Sequence, residues 1–103
     1  MTEHPMNDRT SEDEAVTSQE RLEAYFEDLE RLRSEAEARG DEELEAVRAR
    51  LEQVAERARA VEREYDEQRA VPDAGRRLSR RLTGIVEELG ERIDEAWERL
   101  RKH

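Results

Sequence analysis

Four arginines close together in the sequence form its strongest candidate for a binding site: Arg76, Arg77, Arg80 and Arg81. Their spacing places all four on one side of a helix. Guanidinium groups bind carboxylates and phosphates, often through two parallel hydrogen bonds. One interpretation of the cluster is therefore a docking patch for an acidic partner or a phosphate. The other, which the sequence favours, is that these arginines neutralise the acidic residues 62–67, which a tight turn would bring near them.

Residues suited to catalysis or metal binding are not grouped in the sequence. Carboxylate pairs such as Glu42/Glu43 and Glu87/Glu88 are abundant, which is typical of a solvated face, whereas acid–base catalysis needs a partly desolvated pair in a cleft. His4 and His103 stand at opposite ends of the chain, and cysteine is absent. We therefore expect no enzyme activity, no cofactor, no metal site and no small-molecule substrate.

The charge of the chain is large, negative and unevenly distributed. The net charge is −10, and 47% of the 103 residues are charged. Residues 1–20 carry −5, residues 21–70 carry −6 and residues 71–103 carry +1. An acidic surface repels phosphate backbones and anionic lipid headgroups, so we expect neither nucleic acid nor a membrane as partner. The expected partner is another protein or a second copy of this chain.

The basic residues are eighteen arginines and one lysine, Lys102. Lysine depletion beside a glutamate excess suggests a GC-rich genome and a halophilic, archaeal source, because a carboxylate-covered surface is screened and hydrated in concentrated salt. No apolar run approaches the roughly 20 residues that span a bilayer, and residues 1–10 lack the features of a signal peptide. We expect a soluble, cytoplasmic protein.

The apolar residues recur at helical spacing and predict three helices. The composition of residues 1–17 predicts a disordered acidic tail. A capping box at residues 17–20 predicts the start of a helix over 18–39. Gly40 ends that helix and Asp41 caps the next, over 42–70. Pro72 forces the second break, and a third helix over 74–102 follows Asp73 as its cap.

The nearly matched lengths of these helices predict an all-α, antiparallel three-helix bundle with coiled-coil-like seams. The alternative keeps Gly40 inside one long helix over residues 18–70, paired in a dimer. Gly84 and Gly90 each weaken the third helix by about 1 kcal/mol relative to alanine. They either permit close approach of another segment or simply loosen the helix.

The third helix has an apolar stripe wider than one coiled-coil seam, which suits it to facing two partners. The candidate contact residues on it are Ile85, Val86, Ile93 and Trp97. The function that we expect is a non-enzymatic module for protein–protein interaction or self-association, in which Ile93→Asp abolishes partner binding or assembly. The alternative is an acidic regulator that binds a basic partner, as a nucleic-acid mimic would.

Two short stretches resemble a family of small acidic haloarchaeal proteins of unknown function. One is Arg50-Leu51-Glu52-Gln53, in the middle helix. The other is Pro72-Asp73-Ala74-Gly75-Arg76, which looks like the Pro-Asp-x-Gly-Arg element that opens the last helix in that family. The likeness covers residues 20–100, and this chain has one extra arginine before Leu78. The resemblance implies a small helical protein and no known activity.

Overall fold

The protein folds into three α-helices in a computed structural model, which describes the backbone of residues 3–102 and the side chains of residues 13–102. The helices are α1 (Glu3–Arg39), α2 (Glu42–Gln68) and α3 (Pro72–Lys102). The part of the chain that the structure describes contains no strand. None of these helices is long and apolar enough to cross a membrane. The all-α, three-helix prediction is confirmed.

The break between α1 and α2 is a left-handed glycine followed by a capping aspartate, as predicted. Gly40 has φ +65°, a conformation that only glycine adopts without strain. The Gly40 amide donates to the Glu37 carbonyl and the Asp41 amide to the Ala36 carbonyl, which together make a Schellman motif. The Asp41 carboxylate then accepts from the Leu44 amide at 3.0 Å. The long-helix alternative is therefore wrong.

The first helix begins further toward the amino terminus than predicted. The predicted start was residue 18, but α1 already includes Glu3. Residues 13–17, which belong to the predicted disordered tail, are helical, and the Ala15 side chain is fully buried. Leu22 follows Ala15 after seven residues, so the apolar stripe continues through the predicted boundary. The side chains of residues 1–12 of the predicted tail lie outside the described residues.

The third helix begins at Pro72 rather than after Asp73. The Gly75 amide donates to the Val71 carbonyl at 2.8 Å, so Val71, and not Asp73, precedes the first turn. Proline is favoured at the first helical position because its fixed φ suits a helix and its missing N–H would have no helical acceptor there. Asp73 instead lies in the first turn, where its negative charge suits the helix dipole.

Long-range contacts define the directions of the helices. Arg99, near the end of α3, pairs with Glu43 at the start of α2, so these helices run in opposite directions. The amide of Gln19 donates to Asp66, which gives the same relation for α1 and α2. The Ser18 and Thr83 hydroxyls are 3.0 Å apart, and Tyr25 lies against Gly90. Because both contacts join positions 65 residues apart, α1 and α3 run in the same direction.

One apolar core runs along the axis of the bundle, which measures 57 × 23 × 15 Å. All three helices contribute to it at spacings of three and four residues. Its largest fully buried apolar side chains are Leu22, Leu32, Leu44, Leu82, Val86, Leu89 and Ile93. Each helix thus buries one stripe and leaves its charged face in solvent.

Candidate functional site

Two of the four apolar residues predicted to contact a partner lie inside the bundle. Val86 and Ile93 are each only 1% exposed, so neither is accessible to another molecule. Ile85 and Trp97 are half-buried and pack against the core. The stripe of α3 is wide because α3 packs against both α1 and α2 of its own chain. The prediction that Val86 and Ile93 contact a partner is therefore wrong.

Apolar surface is scarce on the described part of the molecule. Among the side chains of residues 13–102, the only large hydrophobic ones that are exposed are Val16 (51%) and Val71 (54%). They stand in α1 and at the turn before α3, respectively. Apolar patches that mark protein interfaces usually cover several hundred Å². The surface of residues 13–102 therefore consists mainly of polar and charged side chains.

The predicted arginine cluster lies on an exposed surface where α2 gives way to α3. We call this surface the arginine-rich end and define it as Arg69, Arg76, Arg77, Arg80 and Arg81, all of them exposed. Residues 69–86 contain these five arginines and one acid, Asp73, which gives a formal charge of +4 in a chain of −10. The chain is therefore strongly dipolar, with −14 on its remaining residues.

The turn that holds the arginine-rich end together is tight. A Cβ on Gly75 would lie 3.3 Å from the Arg69 carbonyl oxygen and 3.5 Å from the Arg69 Cα, so glycine there lets the end of α2 approach the first turn of α3. Beside this turn, Asp73, Arg76, Arg77 and Arg80 line a surface depression of about 370 Å³. The depression is large enough to receive an anionic side chain from another molecule.

Most of these arginines have no acidic partner on the described part of the protein. Arg76 donates to Asp73 at 3.0 Å. Arg77, Arg80 and Arg81 form no ion pair or hydrogen bond with any side chain of residues 13–102. The acidic residues 62–67 likewise make no ion pair with the cluster, and Asp66 accepts from Gln19 of α1 instead. The neutralisation alternative therefore finds no support in these contacts.

The position of the arginines is electrostatically unfavourable for the helix that carries them. Arg76/Arg80 and Arg77/Arg81 are like-charged pairs at i,i+4 spacing, each of which costs about 0.2–0.5 kcal/mol. An anion bound here would offset this repulsion. The local rules of helix stability therefore do not explain why these residues are arginines.

A second basic surface, which the sequence did not suggest, lies between α2 and α3. We call it the α2–α3 cleft, an opening of about 310 Å³. Its floor is apolar and its rim is charged, and its lining residues are Val47, Leu51 and Ala96 below and Arg50, Arg92, Glu95 and Arg99 above. Helical spacing could not reveal it, because the register between α2 and α3 brings Arg50 to the same opening as Arg92.

Arg48 is the only charged side chain of residues 13–102 that is buried. It is only 9% exposed, and it bridges Glu45, three residues before it, and Glu52, four residues after it. The hydrogen bond from Arg48 lowers the pKa of Glu45, and the same bond raises the pKa of Arg48. This buried guanidinium is fully engaged within α2 and has a structural role.

Carboxylates crowd together where α1 meets the end of α2. Burial raises the pKa of Glu62 above its ordinary value, and the negative charges of Asp66 and Glu23 raise it further, while Arg59 and Arg63 oppose the shift. Arg59 itself stacks over the Phe26 ring at 4.2 Å, a cation–π contact that joins the two helices. This acidic crowding gives the molecule a negative surface on α1 and α2.

No group of histidine, cysteine, aspartate or glutamate side chains that could hold a metal ion occurs within the described residues. His4 and His103 lie outside the described side chains. The fold and surface thus define the class of the molecule: a small acidic three-helix bundle with one basic end. Comparison with protein-family models, with curated proteins and with solved structures found no match to this chain.

Proposed function

We propose that this protein is a non-enzymatic interaction module that docks an acidic surface of a partner protein onto its arginine-rich end. The observation that carries the proposal is the concentration of charge at that end. Arg77, Arg80 and Arg81 are exposed and have no acidic partner among the described side chains. Guanidinium groups suit carboxylates because the two planar groups form paired hydrogen bonds.

The partner is a protein rather than a nucleic acid. The charge of −14 outside residues 69–86 would repel a long phosphate backbone that extended beyond the basic end. A compact acidic surface, such as one face of a helix, can contact the arginines without meeting the acidic faces of α1 and α2. Ile85, half-buried and one turn beyond Arg81 on α3, would add a small apolar contact beside the charges.

We place this interaction in the cytoplasm of a cell with concentrated salt, on the strength of the acidic, lysine-poor composition. At 1 M salt, screening limits electrostatic attraction to about 3 Å. Under these conditions the arginines would act through direct, desolvated contacts with carboxylates rather than through long-range attraction. The extra guanidinium donors of arginine, compared with lysine, favour such contacts.

The test is Arg77→Glu, which separates a binding role from a structural one. The substitution replaces repulsion of Arg81 by attraction and attraction of Asp73 by repulsion, both at i,i+4 spacing, so we expect the stability of the isolated bundle to change by less than about 0.5 kcal/mol. We also expect it to remove partner binding. Stability is measured by urea unfolding, and partners are compared by quantitative affinity capture from cells that express the protein naturally. Arg57→Glu, at an exposed arginine of α2, is the control with the same charge change.

Two results would contradict the proposal. The first is a set of captured proteins that is unchanged by Arg77→Glu. The second is equal loss of those proteins with Arg57→Glu, which would mean that only the overall charge matters. A drop in stability beyond that range with Arg77→Glu would instead indicate that Arg77 has a structural role.

A second candidate function, binding of a basic partner, is favoured by the crowded carboxylates of α1 and α2. Glu62 is already harder to ionise because of its burial and of Asp66 and Glu23 nearby, and a cationic partner would relieve that repulsion. The test is titration with an arginine-rich peptide at increasing salt. We expect affinity to fall steeply with salt, and binding that is indifferent to salt would exclude this function.

A further inference from the structure

The α2–α3 cleft combines an apolar floor with a basic rim, and the two features together indicate the kind of ligand that would fit it. Leu51 and Ala96 are buried beneath it and Val47 is half-buried. Three arginines and one glutamate surround the floor, a formal charge of +2 on the lining of an acidic protein. The volume of about 310 Å³ is at the lower end of the range of roughly 300–1,000 Å³ that is typical of small-molecule sites.

The three arginines of the rim differ in how they are held. Arg92 donates to Glu88 at 3.1 Å and Arg99 pairs with Glu43. Neither glutamate lines the cleft, so each holds its arginine from outside and offsets part of its charge. Arg50 has no ion-pair partner among residues 13–102. Arg50 is therefore the guanidinium with its donors available to an anion in the cleft.

We propose that the α2–α3 cleft binds a small amphipathic anion, a molecule with a compact apolar body and one carboxylate, sulfonate or phosphate group. The apolar body would lie on Val47, Leu51 and Ala96. The anionic group would accept hydrogen bonds from Arg50 and Arg92 at the rim. Apolar pockets that contain a few placed polar groups fix a ligand in one orientation, and a charged hydrogen bond in such a place is the strong kind. This ligand is separate from the protein partner of the arginine-rich end.

The experiment uses naphthalene-2-sulfonate as the probe and the neutral naphthalene-2-sulfonamide as its isosteric control. Binding is followed by ¹H–¹⁵N NMR titration of the full chain at fixed ionic strength. We expect saturable binding at one site, with shift changes centred on Val47, Leu51 and Ala96. We expect the sulfonamide to bind about tenfold more weakly, because its uncharged oxygens cannot form an ion pair with the arginines.

Three variants test the site itself. Arg50→Gln should weaken the sulfonate about tenfold and weaken the sulfonamide much less. Arg63→Gln is the matched control, since it removes the same charge from the same exposed helix about 20 Å further along. Val47→Phe should fill the floor and remove binding of both probes. Thermal unfolding of each variant shows whether the bundle has remained folded.

Four results would overturn the assignment: no saturable binding, equal affinity for the sulfonate and the sulfonamide, equal weakening by Arg50→Gln and Arg63→Gln, or shift changes centred on the arginine-rich end. The last result would mean that the anion binds at the arginine-rich end and not in the cleft. Because the readouts are different residues, this assignment and the protein-docking proposal succeed or fail independently.

Discussion

Gly90 and Gly84 occupy the same helix, and the structure predicts opposite effects of replacing them with alanine. A Cβ on Gly84 would meet nothing within 4 Å, whereas a Cβ on Gly90 would lie only 2.9 Å from Cζ of Tyr25 and closer still to its hydroxyl. Gly90 is thus the place where the Tyr25 ring of α1 packs directly on the backbone of α3. The two glycines weaken α3 equally by propensity but differ in what surrounds them.

The magnitudes follow from two terms. Alanine in place of a helical glycine gains about 1 kcal/mol, and Gly84→Ala should show all of that gain. Gly90→Ala gains the same amount but overpacks the contact with Tyr25, which costs about 1–3 kcal/mol. We therefore expect Gly84→Ala to stabilise the bundle by about 1 kcal/mol and Gly90→Ala to leave it unchanged or destabilise it by up to about 2 kcal/mol.

Urea unfolding followed by circular dichroism measures both free energies, and fluorescence of the single tryptophan, Trp97 in α3, gives a second probe of the transition. A double-mutant cycle with Tyr25→Leu isolates the clash. In that background Gly90→Ala should recover about 1 kcal/mol, because the shorter side chain leaves room for a methyl group. If Gly90→Ala stabilises the unmodified protein as much as Gly84→Ala does, the packing of Tyr25 on Gly90 is refuted.

Two further predictions concern the core and the acidic crowding. Ile93→Asp should unfold the bundle rather than only remove binding, because an unpaired carboxylate at a 1% exposed position costs several kcal/mol. Ile93→Val should cost only about 0.5–1.5 kcal/mol, and a folded aspartate variant by circular dichroism would contradict the burial. Glu62 has a raised pKa, so the folded state binds its proton more tightly and stability falls as pH rises from about 4.5 through that pKa. Glu62→Gln should therefore stabilise the protein at pH 7, by only about 0.3 kcal/mol because the group is partly solvated, and lessen this pH dependence. The matched control is Glu67→Gln. If it raises the free energy of unfolding in urea as much as Glu62→Gln does, the raised pKa of Glu62 is not the cause.

The helical breaks illustrate how well local chemistry can be predicted from sequence. Gly40 ends the first helix and Asp41 caps the second, as predicted. Both roles depend only on hydrogen bonds between residues at most five positions apart, so the local sequence is enough to predict them. The second break was placed correctly, but its details were not. Pro72 could either precede a helix or open it, and hydrogen bonding of Val71 with Gly75 decided for the latter.

The arginine-rich end was predicted from spacing alone, whereas its lack of acidic partners could not be. Helical periodicity places Arg76, Arg77, Arg80 and Arg81 on one side of a helix whatever the surroundings are. Whether the acidic residues 62–67 would reach them depends on how α2 rotates about its own axis at the turn. In the structure Asp66 faces Gln19 of α1 instead.

The number of helices, the residues that end them and the stripe that each one buries could be predicted from the sequence, because these follow from interactions between residues a few positions apart. The packing of the three helices against one another determines that the apolar stripe of α3 is buried within one chain, which removes Val86 and Ile93 from any docking surface. It also decided that Gly90 receives Tyr25 and that Arg50 meets Arg92 across the α2–α3 cleft. These outcomes depend on register and rotation between helices, which are set by the packing of all three at once and have no counterpart in the spacing along one of them.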